Sequence, residues 1–296
     1  MTRTERILGI LAPLTTAIIW GGMYVVSKWG FDAIPPVTLG FFRVALGAVA
    51  LVAIVGYNES TRTPTRADWR GFTGLGALVT ATIVTQFVGT DLTTASQGSL
   101  LTVATPVATL LLAAVVVDEP LTRAKVTAVG LATVGTVLVV ADGGLDGSLD
   151  PAGVTALLGA SVAWAGYTVW GKPLVARFSA LETATYATVT AAPMLAVLAA
   201  GELWLLGRSV WSLPTDPAVL AAVAYLGFLA TAVAWYLWYK GLEYVDAGTV
   251  SVLFVVQPLV GTALGAALLG EQIGPWFLVG GTLLLAAVVV VGRARS

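Results

Sequence analysis

The stretches "GTDLTTASQGSLLTVATPVATLLLAAVVVDE" (89–119) and "GLEYVDAGTVSVLFVVQPLVGTALGAALLGE" (241–271) align without a gap at an offset of 152. Nine positions are identical, among them Gly89/Gly241, Ser99/Ser251, Pro106/Pro258 and Glu119/Glu271. Shared apolar letters are cheap in a chain that is 57% hydrophobic, but a Pro and a Glu thirteen residues apart in both segments are not. Further upstream, "WGGMYVVSK" (20–28) matches "WAGYTVWGK" (164–172) at offset 144, pairing Trp20/Trp164, Gly22/Gly166 and Lys28/Lys172. The eight-residue change of offset fits a longer connection around "LLGRSVWSLPTD" (205–216). The chain therefore reads as one unit written twice.

Composition says where that unit lives. Only 10% of the 296 residues are charged, against about 25% in a soluble domain, and the mean hydropathy is +0.90. Charge-free stretches cover 7–27, 71–90, 92–117, 151–171, 183–201, 217–239, 247–270 and 272–292. Two more spans are 34–56, interrupted by Arg43, and the short apolar run 126–141. Crossing a bilayer takes about 20 apolar helical residues. The expectation is an all-α polytopic membrane protein with ten transmembrane helices and no soluble domain. Residues 1–296 form a single transmembrane domain, with repeat 1 over 1–148 (helices 1–5) and repeat 2 over 149–296 (helices 6–10). Five helices is an odd number, so the second copy inserts upside down relative to the first, an architecture common among secondary transporters.

Lysine and arginine set the orientation. With the N-terminus inside, twelve of the fifteen fall in inside segments, and only Lys28 and Arg208 in outside loops. The acidic loop "ADGGLDGSLDP" (141–151) then lies outside, and both termini are cytoplasmic. The opening "MTRTERILGILAPL" (1–14) has the basic start of a secretory signal but no small-x-small cleavage site, and is expected to be retained. A multi-pass protein of the cell (plasma) membrane is the expectation.

Several residues tie the pattern to a known family. The first-span "IIWGGMYVVSKWG" (18–30), the second-span "FFRVALGA" (41–48), and "ASQGSLLTVATPVATLLLAAVVVDEPLT" (95–122) with its copy at 247–273 resemble the drug/metabolite transporter superfamily, specifically its EamA-type ten-helix exporters. Met23 stands where that family often has Asn. The resemblance spans the chain and implies a central cavity between the halves, opened alternately to either side.

Candidate substrate-binding residues follow from polarity placed in hydrocarbon. Gln86 and Gln257 each carry a full amide that needs partners. Ser99 and Thr102 share a face of the fourth span, and Ser251 lies about two turns before Gln257; such hydroxyls serve either a substrate or their own helix. Trp20, Trp164 and Tyr167 lie deep enough to line a cavity or to pack. Trp29, Trp69, Trp204, Trp211, Trp276 and Trp238 fall near span ends, as interfacial tryptophans do. Pro106 and Pro258 sit mid-span, where each removes a donor and makes either a static kink or a hinge. Arg43 is the one cation deep in a span, roughly 12 Å from the outer end at 1.5 Å per residue. It bonds carbonyls freed by a neighbouring helix break, snorkels outward, or anchors a substrate carboxylate. Its repeat mate is Ala187, so the symmetric scaffold does not require a cation there.

Absences narrow the chemistry. The chain has no His and no Cys, and none of its sixteen Asp and Glu lies deep in a span. An enzyme is not expected, nor a metal site, a cofactor, a carboxylate proton relay or nucleic-acid binding. The pI is near 5.4, and no GxxxxGK[ST] phosphate loop is present. The leading expectation is a secondary transporter exporting small metabolites, amino acids or related amphipathic solutes, by alternating access. The alternative is an exchanger of phosphorylated solutes or nucleotide sugars. The partners are a small-molecule substrate and the lipid bilayer, and a homodimer is possible.

Overall fold

The structure, a computed structural model, describes residues 3–57, 63–116, 123–146, 150–175, 177–242 and 256–294. Their regular structure is all helical, with no strand among them. In chain order the helices are α1 (Arg3–Gly30), α2 (Pro36–Tyr57), α3 (Arg66–Asp91), α4 (Ala95–Leu101), α5 (Thr105–Val116), α6 (Arg123–Asp146), α7 (Pro151–Val175), α8 (Ala180–Leu205), α9 (Pro217–Ala224), α10 (Ala234–Leu242), α11 (Val256–Leu269) and α12 (Pro275–Ala294). Among the described residues, six candidate spans are long and apolar enough to cross a membrane, and three shorter apolar helices accompany them.

Helix ends follow local chemistry. Thr65 and Asp68 form a capping box at the start of α3, and Ser179 and Glu182 form another at α8. Asp216 followed by Pro217 opens α9. Gly207, at φ 62°, stops the chain just beyond α8, and Gly270, at φ 69°, does the same beyond α11. Two helices take their caps from a distant part of the chain. Glu202, near the end of α8, accepts hydrogen bonds from the Val37 and Thr38 amides at the start of α2. Glu271 accepts from the Ala95 and Ser96 amides at the start of α4.

Two of the expected continuous spans are broken. The fourth is α4, a 3-10 turn over Thr102–Ala104, then α5. Pro106 has no N–H, so the Thr102 carbonyl loses its α-helical donor. The Thr105 amide and its hydroxyl, at 2.7 Å, take that carbonyl instead. The break thus sits one turn before the proline and is satisfied locally, as a break in hydrocarbon must be. The eighth span is α9, a π-helical segment over Tyr225–Val233, then α10. No Pro marks this second break, and sequence reasoning took 217–239 as one regular helix.

Helix packing crosses between the halves. In the first-half/second-half pairs, α1 lies against α10 and α11, while α7 lies against α3 and α5. Likewise α2 meets the π segment and α3 meets α8; α6 pairs with α12, α2 with α8, and α4 with α11. Exchanging the halves leaves this set unchanged. The α6–α12 crossing runs through glycine: a Cβ on Gly135 would stand 2.7 Å from the Gly280 carbonyl oxygen. This crossing is therefore made by small residues, as helices in lipid favour. Outward positions carry exposed Val49, Val52, Val197 and Leu268, a lipid-facing surface.

Candidate functional site

The site is built around a residue that sequence reasoning did not select. Tyr24, in α1 and 1% exposed, places its hydroxyl where three other helical segments converge. Gln86 of α3 donates its amide to it at 2.7 Å, and Gln257 of α11 does so at 3.5 Å. Thr102, in the 3-10 break, lies 2.7 Å away on the remaining side. Thr102 also reaches the Gly98 carbonyl at 3.0 Å. A phenol has one proton and two lone pairs. Tyr24 thus donates to Thr102 and accepts from both glutamines, with Thr102 donating on to Gly98. This arrangement uses the full capacity of the hydroxyl. It leaves Gln257 Oε1, in a side chain 3% exposed, without a hydrogen-bond partner among the described residues. The one available clue in the sequence was spacing: Tyr24 lies one helical turn after Trp20.

Arg43 sits in α2, 5% exposed, against the π segment. Gly47, one turn further along the same face, makes the approach close. A Cβ there would come within 2.7 Å of Thr231 Cβ, and one on Gly227 would meet Leu46 at 2.6 Å. The guanidinium then reaches the break. Its Nε donates to Thr231 Oγ1 at 3.1 Å and its Nη2 to the Ala230 carbonyl at 3.5 Å. Backbone geometry explains why that carbonyl is available. The Ala234 amide bonds to Leu229 and Thr231 and bypasses Ala230. Trp20 Nε1 donates to the same oxygen at 2.8 Å. Of the readings open for Arg43, bonding at a neighbouring helix break is thus the one its Nε and Nη2 contacts match. The Phe87 ring lies 5.5 Å from the guanidinium carbon, within cation–π range. Arg43 Nη1 remains without a hydrogen-bond partner among the described residues.

Aromatic rings gather on α10. Trp164 stacks on Tyr167 at 5.1 Å and meets Trp235 edge-on at 5.4 Å. Trp20 packs on Trp238 at 5.6 Å. Trp235 and Trp238, three residues apart on one helix, therefore receive a tryptophan from each half. Trp238 belongs to this inner group, which departs from its expected place at the membrane interface. Trp235, 5% exposed, is not among the candidates expected from the sequence. Trp29, Trp69, Trp204, Trp211 and Trp276 are exposed, as interfacial residues are.

The other candidates among the described residues make no hydrogen bond to Tyr24 itself, though Thr102 Oγ1 also reaches the Ser99 carbonyl at 3.2 Å. Ser99 is fully buried, bonds the Ser96 carbonyl at 3.0 Å and faces Gly261 at the α4–α11 crossing. Pro258 is buried near the start of α11 as described, and Pro106 follows the α4–α5 break. Ser251 lies outside the described residues. No group of three or more metal-ligating side chains occurs among the described residues.

A charge-poor bundle with a polar and aromatic centre shared by both halves is a transporter's layout, and the family match agrees with it. Residues 7–141 and 151–293 match the EamA-like transporter family. The chain belongs to this family. A probable terminal-alkyne amino-acid exporter of Streptantibioticus cattleyicolor is 30% identical over 287 residues, covering 96% of this chain and 93% of that protein. An uncharacterized transporter of Archaeoglobus fulgidus is 27% identical, covering 92% of this chain and 93% of that protein. A probable amino-acid metabolite efflux pump of Salmonella typhimurium is 26% identical, covering 98% and 95%. One crystal structure superposes with a TM-score of 0.67 at 20% identity, over 97% of this chain and 99% of that one, and so shares the fold. As an EamA-like transporter, the protein is membrane-embedded and handles a small molecule.

Proposed function

We propose that this EamA-like transporter is a secondary exporter of small amphipathic metabolites, amino acids among them, working by alternating access. Ten transmembrane helices form two inverted five-helix repeats, 1–148 and 149–296, with both termini cytoplasmic in the plasma membrane. The observation that carries this reading is the Tyr24–Gln86–Gln257–Thr102 cluster with Arg43 beside it, bounded by Trp20, Trp164, Tyr167 and Trp235. Polar groups at the meeting of two halves, in a bundle otherwise apolar, match the midplane site expected between repeats. The relatives named as amino-acid exporters support the solute class. Pro106 and Pro258 serve as paired break points about which the halves rearrange. An exchanger of phosphorylated solutes needs several cations, and Arg43 is the one buried cation among the described residues.

Proteoliposomes loaded with a panel of radiolabelled amino acids test the reading. Efflux accelerated by counter-substrate, and lost in Tyr24→Phe or Trp164→Ala protein that still folds, is the expected result. No efflux from any loaded solute, under any imposed gradient, would overturn it.

A further inference from the structure

The guanidinium of Arg43 is only partly used by the fold. Nε and Nη2 hold the π segment through Thr231 and Ala230, while Nη1 faces no described acceptor. Nor does a buried acid among the described residues neutralise it. Asp68 and Glu182, the buried acids among the described residues, are taken up in the capping boxes that begin α3 and α8. A desolvated cation with an open donor edge is stabilised by an anion that brings its own acceptor oxygens.

A second orphan specifies the ligand further. Gln257 Oε1 is a buried acceptor without a partner, and its amide nitrogen is committed to Tyr24, which already accepts from Gln86. An inorganic anion answers only the arginine, whereas a ligand with both an anionic and a donor group answers both. The ring of Trp20 borders this region, because its Nε1 shares the Ala230 carbonyl with Arg43 Nη2, and Trp238 packs behind it. A single cation suits one negative charge and not a phosphate dianion.

We propose that Arg43 Nη1 is a carboxylate-binding point, and that Gln257 Oε1 accepts a donor from the same ligand, so that the solute is an amphipathic monocarboxylate. This deepens the exporter reading and rests on it. Arg43 has two duties on separate nitrogens: it braces the break in the eighth span and selects the solute by charge. Occupation of Nη1 places the ligand one guanidinium away from the π segment.

Binding and transport are measured separately on the full chain. Thermal stabilisation of purified protein is titrated with leucine, phenylalanine and N-acetylleucine, and with leucinamide and sodium chloride as comparisons. The proposal requires that at least one carboxylate bind about tenfold or more tightly than leucinamide, the loss expected for a charge-assisted bond to a buried cation. It also requires that Arg43→Gln, if folded, bring carboxylate and amide within about twofold of each other. The wild-type comparison stands even where Arg43→Gln does not fold. Equal binding of leucine and leucinamide, stabilisation by chloride equal to that by the carboxylates, or no binding of any carboxylate overturns the proposal. Counterflow in proteoliposomes reads the other claim: carboxylate binding without any flux overturns the exporter reading and leaves the subsite standing, whereas flux of amide equal to carboxylate does the reverse.

Discussion

Removing the Glu271 carboxylate should cost this fold more than its half-exposed position implies. Its two oxygens accept from the Ala95 amide at 2.6 Å and the Ser96 amide at 2.9 Å, and one also binds the Ser96 hydroxyl. These amides begin α4, a helix of only seven residues whose own cap, Thr94, serves the Gln97 amide. Glu271→Ala leaves two N–H groups without their partner, at about 1–3 kcal/mol each where water is excluded. The site is half-buried, so the lower end applies, about 1 kcal/mol each. Loss of a negative charge from a helix N-terminus adds about 0.3–1 kcal/mol. The Ser96 hydroxyl rotates to another acceptor and adds little. The expected total is about 2–3 kcal/mol for Glu271→Ala, and about half that for Glu271→Gln, which keeps one acceptor oxygen. Gly265 gives an independent approach to the same contact. A Cβ there would collide with the Glu271 carboxylate and stand 2.7 Å from Ser96 Oγ, so Gly265→Ala displaces the carboxylate from the other side. The two substitutions break one interaction, and the double variant should cost less than the sum. Equilibrium unfolding in mixed detergent micelles reads all three. A Glu271→Ala change below about 0.5 kcal/mol, the size of an ordinary surface effect, or strict additivity with Gly265→Ala, refutes the clasp.

Three further outcomes are expected. Tyr24→Phe removes the hydroxyl that satisfies Gln86 and Gln257, and should lower stability by about 1–3 kcal/mol in the same unfolding assay while suppressing counterflow. Thr231→Val keeps the shape but removes the acceptor of Arg43 Nε and the donor to the Leu226 carbonyl; it should destabilise by about 1–3 kcal/mol, whereas Thr231→Ser stays near wild type. Gly280→Val drives a branched side chain into the Gly135 carbonyl and the Val139 backbone, and overpacking of this kind costs about 1–3 kcal/mol or more; Gly130→Ala, where no atom lies within 4 Å, is the control that should change nothing.

How much of this was legible beforehand depends on the range of the interaction concerned. Apolar spans and the repeat are written in local composition and spacing, and both need only counting. The capping boxes at Thr65–Asp68 and Ser179–Glu182 are equally local, since both partners lie within four residues. The clasps made by Glu202 and Glu271 are not. Their partners lie 164 or more residues away, and a glutamate after a span reads simply as a loop residue. The π segment is the extreme case. Nothing in "YLGFLATAV" (225–233) distinguishes it from a regular helix, because its cause is on other helices: Gly47 lets α2 approach, while Arg43 and Trp20 supply donors for the exposed Ala230 carbonyl.

The same distinction sorts the candidate site. Gln86, Gln257 and Thr102 were recognisable one by one, since an amide or hydroxyl in a membrane helix demands partners wherever it points. What joins them is Tyr24, an aromatic whose hydroxyl is inconspicuous until three other segments close on it. Ser99 shows the converse: identical in the two halves and placed on the expected face, it is fully occupied at a helix crossing. A polar residue shared by both repeats is therefore weaker evidence for a binding role than one the repeat does not require. Arg43 faces Ala187 in the repeat alignment, and the symmetric scaffold would stand without its charge. Whatever keeps a guanidinium there must exist on one side of the pseudo-symmetry only. The π break in the eighth span is one such feature, since its counterpart α3 is described as a continuous α-helix over Arg66–Asp91. A bound solute, lacking the symmetry of the fold, is the other that we propose.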